Sequence, residues 1–91
     1  MITSKLNGIE VQKKLRDLAG WELKNEAITK LHKFKDFAEA MNFVNRVAGL
    51  AETADHHPDI DIRYNKVRLT LSTHSAGGLT EKDFSLARQI G

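Results

Sequence analysis

Behind Asn7-Gly8-Ile9-Glu10, the apolar residues Val11, Leu15 and Leu18 recur at helical spacing. That spacing predicts a first helix. Asn7 caps it, and Glu10, three residues later, reaches back to the cap's amide. Gly20 is expected to end it. Trp21-Glu22-Leu23-Lys24 reads as a short strand, Asn25-Glu26 as a turn, and Ala27 to Phe34 as a second strand. Alternation in the second strand is poor, because Ile28 and Leu31 fall on opposite faces.

Asp36-Phe37-Ala38-Glu39 repeats the capping signature and opens the longest helix, to about Ala54. Phe37, Met41, Val44, Ala48 and Ala51 form one apolar stripe. Phe43, Val47, Leu50 and Ala54 form a second. A surface helix ordinarily carries a single apolar face. Two stripes imply a sheet on one side and a further partner, most simply another subunit, on the other. Pro58 biases His57 away from helical geometry and stops the helix near His56.

Ile60, Ile62 and Tyr64 alternate with polar residues as one strand, and Val67, Leu69 and Leu71 do so in the next. Tyr64-Asn65-Lys66-Val67 between them fits a two-residue hairpin in which Asn65 tolerates positive φ. Arg68, Thr70, Ser72 and His74 share the face opposite Val67, Leu69 and Leu71. Ala76-Gly77-Gly78 is a loop. Thr80 caps a last helix carrying Phe84, Ala87 and Ile90. The order is α-β-β-α-β-β-α. Tight hairpins make the four-stranded sheet antiparallel, and with three helices on one face the expectation is an α+β two-layer sandwich.

Ninety-one residues, 1–91, make one domain. A chain this short buries about 60–65% of its unfolded surface, so it needs reinforcement. With no cysteine, neither a disulfide nor a thiolate zinc site supplies it. Oligomerisation is favoured over a metal as the route. No run approaches the roughly 20 apolar residues of a membrane span. The N-terminal stretch Met1–Gly8 lacks the apolar core of a signal peptide, so the chain reads as cytoplasmic. The formal charge of +2 is scattered among acidic residues, which reads as a solvated surface rather than a nucleic-acid footprint.

Candidate chemistry sits in one third of the chain. Glu52-Thr53-Ala54-Asp55-His56-His57-Pro58 is followed by Tyr64, by Ser72-Thr73-His74 and by Asp83. Histidine titrates near pH 6.5, roughly, so such a cluster is a proton-transfer site or a metal site. Simpler roles compete at each position. His56 and His57 end a helix, where cations interact well with the dipole. His74 is a strand-end polar residue. Asp83 occupies the third position of the last helix, where a carboxylate caps. Glu52 is a solvated helix residue, although it shares a face with His56. Trp21 is a core candidate, and alternatively an indole for stacking on a flat ring. His32, among Lys30, Lys33 and Lys35, reads as surface. For metal, adjacent histidines diverge and rarely chelate one ion. A two-histidine, one-carboxylate set of His56, His74 and Asp83 remains conceivable.

The full pattern resembles the pterin-4a-carbinolamine dehydratases. The residues that carry the likeness are Glu52, three spacers, His56-His57-Pro58, five spacers, Tyr64, nine spacers, His74, eight spacers and Asp83. Tyr64-Asn65-Lys66-Val67, Leu71-Ser72-Thr73-His74, the Gly78-Leu79 turn and the position of Trp21 are similar to the family as well. The likeness runs from the first helix to the last.

The resemblance implies dehydration of a 4a-hydroxytetrahydropterin to the quinonoid dihydropterin, regenerating the cofactor of an aromatic amino acid hydroxylase. It implies no metal and no organic cofactor. It also implies homodimers or homotetramers, with sheets joined at their edges and long helices packed together. On this reading His56, His57, His74 and Asp83 are catalytic. His56 and His74 move protons, His57 binds or orients the pterin, and Asp83 orients a histidine. Asp55, Ser72 and Thr73 join the three histidines in binding the pterin, and Trp21 stacks on it. The competing expectation is an interaction module, since some family members stabilise transcription-factor dimers.

Overall fold

The structure, a computed structural model, describes residues 4–91. The first three positions of the N-terminal stretch read above lie outside them. The elements are α1 (Gly8–Leu15), β1 (Glu22–Lys24), β2 (Ala27–Lys33), α2 (Phe37–Ala54), β3 (Asp59–Arg63), β4 (Lys66–Leu71), a short 3-10 turn (His74–Ala76) and α3 (Glu81–Ile90). The sheet order is β1-β2-β4-β3, and every neighbouring pair is antiparallel. This is the expected α+β architecture.

Register decides which residues see the helices. Ile28 pairs with Leu71, Lys30 with Leu69 and His32 with Val67. Directly paired residues share a face, so these six project to the helix side. Ile28, Val67, Leu69 and Leu71 are fully buried there with Val47, Phe84, Leu86 and Ala87. Each large apolar side chain so buried contributes about 1.5–3 kcal/mol relative to exposure. Thr29, Leu31, Lys33, Lys66, Arg68 and Thr70 take the other face.

That parity corrects the reading of His32. It is half-buried, its ring 4.5 Å from that of Phe43, and its Nε2–H donates to the Gly91 carbonyl at 3.0 Å. Burial holds its pKa below the ordinary imidazole value, with the nearby charges of Lys30 and Arg46 adding to the effect against the opposing bond to Gly91. The lysines around it misled because Lys30, also inward, turns its ammonium back out to the Ala19 carbonyl at 3.0 Å.

Helix α1 has the expected reciprocal cap between Asn7 and Glu10. It stops at Leu15, earlier than Gly20. Tightened turns follow, with Asp17 N–H bonded to Lys14 and Leu18 N–H to Leu15. They carry Leu18 and Trp21 into the core. Gly20 closes this connection at φ +85°, a conformation that disfavours a side chain. At α2, Asp36 accepts from Glu39 N–H, but Glu39 reaches the amide of Lys35, one residue short of a reciprocal cap.

The buried stripe of α2 is Ala40, Phe43, Val47 and Ala51. Ala51 therefore belongs with Phe43 and Val47, and Phe37 and Ala48 stay exposed. The two-residue β3–β4 hairpin forms as expected, yet positive φ falls on Tyr64 at 52° and not on Asn65. Asn65 instead ties the hairpin to Phe34, donating to its carbonyl at 2.8 Å and accepting its N–H at 2.8 Å. Among the described residues no helix is long and apolar enough to cross a membrane.

Candidate active site

The site begins where α2 ends. Asp55 takes left-handed backbone at φ 51°. Its N–H bonds the Glu52 carbonyl, and the His56 N–H bonds Ala51. These two bonds close the helix in a Schellman arrangement. The chain reverses there, and Pro58 keeps His57 extended. The neighbouring histidines consequently part. His56 turns inward, its side chain 10% exposed, and His57 stays outside, 57% exposed.

Inside, His56 Nε2 lies 2.6 Å from Asp83 Oδ1. Asp83 is fully buried. Its Oδ2 accepts the Thr80 N–H at 2.9 Å and the Thr73 hydroxyl at 2.8 Å. A buried carboxylate is tolerable when charge-assisted hydrogen bonds surround it. The capping and orienting roles that the sequence set against each other therefore coexist, one on each oxygen. With Asp83 as the acceptor the bond is made by His56 Nε2–H, and Nδ1 is the ring nitrogen that Asp83 does not engage.

Outside, His57 Nε2 pairs with Glu52 Oε2 at 2.5 Å. Glu52 shares a helix face with His56 by spacing, but the reversal at Asp55 hands it to His57.

His74 opens the 3-10 turn after β4. Thr73 and Gly78 close that turn with reciprocal backbone bonds of 3.0 and 3.3 Å. A Cβ on Gly78 would stand 2.5 Å from Glu26 Oε2, so that side chain would have to shift. Glu26 is held by Lys5 Nζ at 2.9 Å, and its carbonyl accepts the Ser72 hydroxyl at 2.8 Å. The β1–β2 hairpin is thereby fixed beside the end of β4.

These elements enclose a cleft of about 380 Å³. His57, Ser72 and His74 line it with Asp59 and Thr70, and Lys24, Asn25, Glu26 and Ala27 close the far wall. The volume lies at the lower end of the range of small-molecule sites, about 300–1,000 Å³. A larger concavity, about 700 Å³ beside α1, is walled by Asn7, Ile9, Gln12, Lys13 and Arg16 and holds no histidine or carboxylate.

The sequence-derived residues divide accordingly. His57, Ser72 and His74 reach the cleft. His56 and Asp83 are bonded to each other and do not line it. Thr73 is 5% exposed and spends its hydroxyl on Asp83 and Thr80. Asp55 ends the helix and does not line the cleft. Trp21, 5% exposed, lies in the core edge-on to His32 at 6.2 Å and does not line it either. The wall Lys24–Ala27 and Asp59 escaped sequence reasoning, because strand register brings them in rather than any local motif. His56 bonds Asp83 directly, so this pair is not spread around an ion. Among the described residues no three His, Cys, Asp or Glu side chains are grouped to hold a metal.

A family model described as Pterin 4 alpha carbinolamine dehydratase matches residues 4–91. A relative from Thermomicrobium roseum is 52% identical over 87 residues, covering 96% of this chain and 94% of its own. One from Acidobacterium capsulatum is 56% identical over 80 residues, covering 88% and 87%. Both carry the provisional name pterin-4-alpha-carbinolamine dehydratase. A solved structure named transcriptional coactivator/pterin dehydratase, from Brucella melitensis, superposes with TM-score 0.92 at 44% identity, covering 96% of this chain and 95% of that one. A pterin dehydratase-like RuBisCO assembly factor of the alpha-carboxysome, 24% identical with TM-score 0.63 over 77% of this chain and 81% of its own, shares the fold.

Proposed function

The chain belongs to the pterin 4 alpha carbinolamine dehydratase family, and from that premise we propose that it dehydrates a 4a-hydroxytetrahydropterin by histidine general acid–base catalysis. The observation that carries the reading is the cleft lined by both His57 and His74, with His57 next in the chain to the Asp83-held His56.

A carbinolamine loses water when the lone pair of the adjacent ring nitrogen forms a C=N bond as the C–O bond breaks. The departing oxygen takes a proton and leaves as water, and the ring nitrogen gives one up. Both transfers suit groups that titrate near neutrality, and such help is worth about 10²–10⁴-fold. His74 serves one transfer from the cleft wall. His56 serves the other through Nδ1, the nitrogen Asp83 leaves free. His57, the most exposed of the three, binds the ring and shares the proton traffic. Asp59, Ser72 and Thr70 offer polar atoms to the pterin's amide and amino edge. The product re-enters pterin recycling behind an aromatic amino acid hydroxylase.

The exposed row on α2, with Phe37 49% exposed, supports association of copies as homodimers or homotetramers. The same row supports a second reading, a module that stabilises partner dimers, which the name of the Brucella structure also favours. The discriminating experiment is a stopped assay of 4a-hydroxytetrahydropterin loss. The dehydratase reading expects turnover that falls at least a hundredfold in His74→Ala. Equal rates in the two proteins would overturn it.

A further inference from the structure

We infer that Thr73 is a positioning residue that sets the places of His56 and His74 together, an inference that deepens the dehydratase reading and rests on it. Thr73 lies one residue before His74. Its backbone N–H and C=O close the turn that begins there, on Gly78 and Ala76. Its side chain runs the other way, into the protein. Its hydroxyl donates to Asp83 Oδ2 at 2.8 Å, and Asp83 Oδ1 holds His56 Nε2 at 2.6 Å.

A hydroxyl has one proton. Thr73 gives its proton to the carboxylate, so the 2.8 Å contact between the two threonine oxygens is a donation from Thr80 to Thr73. The order of donation is therefore Thr80 to Thr73 to Asp83, with His56 donating from the opposite side. Successive bonds of this kind polarise one another in a buried, low-dielectric interior. Thr73 and Asp83 are 5% and 0% exposed, and water does not replace a missing partner at no cost.

Helix capping does not require this hydroxyl, because Thr80 N–H already satisfies the cap on Asp83 Oδ2. What the hydroxyl adds is a second fixed point on the carboxylate. Apart from His56 itself, the cap alone leaves the carboxylate one anchor, and the hydroxyl gives it the second that sets the direction of Oδ1. The direction of the His56 ring follows. Because the residue that sets it also anchors the His74 turn, the two histidines share one reference position.

The test uses the full chain carrying ¹⁵N-histidine, with Thr73→Val and Thr73→Ser. Turnover of 4a-hydroxytetrahydropterin gives kcat and KM. The ring Nε2–H resonance of His56, assigned by its disappearance in His56→Gln, reports the bond to Asp83 without reference to activity. Thr73→Val is expected to move or broaden that resonance and to lower kcat about tenfold, the weight of one hydrogen bond to a charged group, with KM within about twofold. Thr73→Ser, which keeps the hydroxyl, is expected to restore both. A valine variant with wild-type resonance and kcat overturns the inference. So does a serine variant as impaired as valine, because the methyl group would then be what matters. Should the valine variant not fold, Thr73→Cys keeps the volume with a weaker donor, and an unmoved resonance there overturns it equally. A wild-type chain without turnover fails the dehydratase reading instead, and the resonance then decides the role of Thr73 alone.

Discussion

His56 Nε2 and Asp83 Oδ1 stand 2.6 Å apart, joining the end of α2 to the first turn of α3 across 27 residues of chain. Removing the carboxylate strands a buried imidazole, a buried threonine hydroxyl and the N-terminal amide of α3. Asp83→Ala is therefore expected to cost several kcal/mol, about 1–3 kcal/mol for each buried donor left without an acceptor. Asp83→Asn keeps the size and one acceptor and is expected to cost less than half of that. Urea denaturation checks both. Turnover of Asp83→Asn is expected to fall at least tenfold, because an amide does not hold the His56 tautomer as a carboxylate does.

The pair His57–Glu52 gives the opposite expectation. Its side chains are 57% and 77% exposed, so solvent screens the attraction. A double-mutant cycle with His57→Ala and Glu52→Ala is expected to yield a coupling within about 0–1 kcal/mol for stability. His57→Ala is nevertheless expected to lower turnover by at least tenfold, because His57 lines the cleft. Unchanged turnover would remove His57 from the site and return it to the surface role its position at a helix end first allowed.

The contrast between these two histidines shows where sequence reading succeeds and where it stops. Caps, hairpins and the alternation of Val67, Leu69 and Leu71 are local, and they gave the element order and the two-layer form. The signature from Glu52 to Asp83 pointed to the family. What is not local was lost. Asp55 has no glycine's freedom, so nothing marked it as the left-handed residue that sends His56 in and His57 out. The inward place of His32 follows from its even spacing to Ile28, but three lysines hid that parity. Thr73, expected against the substrate, instead continues the inward parity of Val67, Leu69 and Leu71, two residues past the end of β4.

His32 makes the fold sensitive to acid. Its pKa is lowered in the folded chain, chiefly by burial. The unfolded chain therefore binds a proton more readily, and stability falls as pH drops below about 6.5, the ordinary imidazole value, toward the folded pKa. The charges facing the ring, Lys30 from its own strand and Arg46 from α2, act in the same direction. Glu81, held low by Lys14 and Arg88, contributes stability that is lost in the lower carboxylate range, so the two losses separate in pH. Chemical denaturation at pH 7.5 and about pH 5.5 is expected to show a decrease for the parent chain and a smaller one for His32→Gln. Equal decreases would place the sensitivity elsewhere.

Gly20 and Lys30 supply a test of the α1–β1 connection. Gly20 sits at φ +85°, and a Cβ there would stand 2.8 Å from Lys30 Cε. Gly20→Ala is expected to cost about 1–2 kcal/mol for the left-handed backbone alone. The steric part is separable, because the clash is with a flexible side chain whose ammonium bonds the Ala19 carbonyl. In a Lys30→Ala background the same substitution is expected to cost less by the share due to displacing Lys30 from that carbonyl, on the order of 0.5–1.5 kcal/mol. An identical cost in both backgrounds, read from thermal or urea unfolding, would mean that backbone strain alone fixes the glycine and that Lys30 moves aside freely.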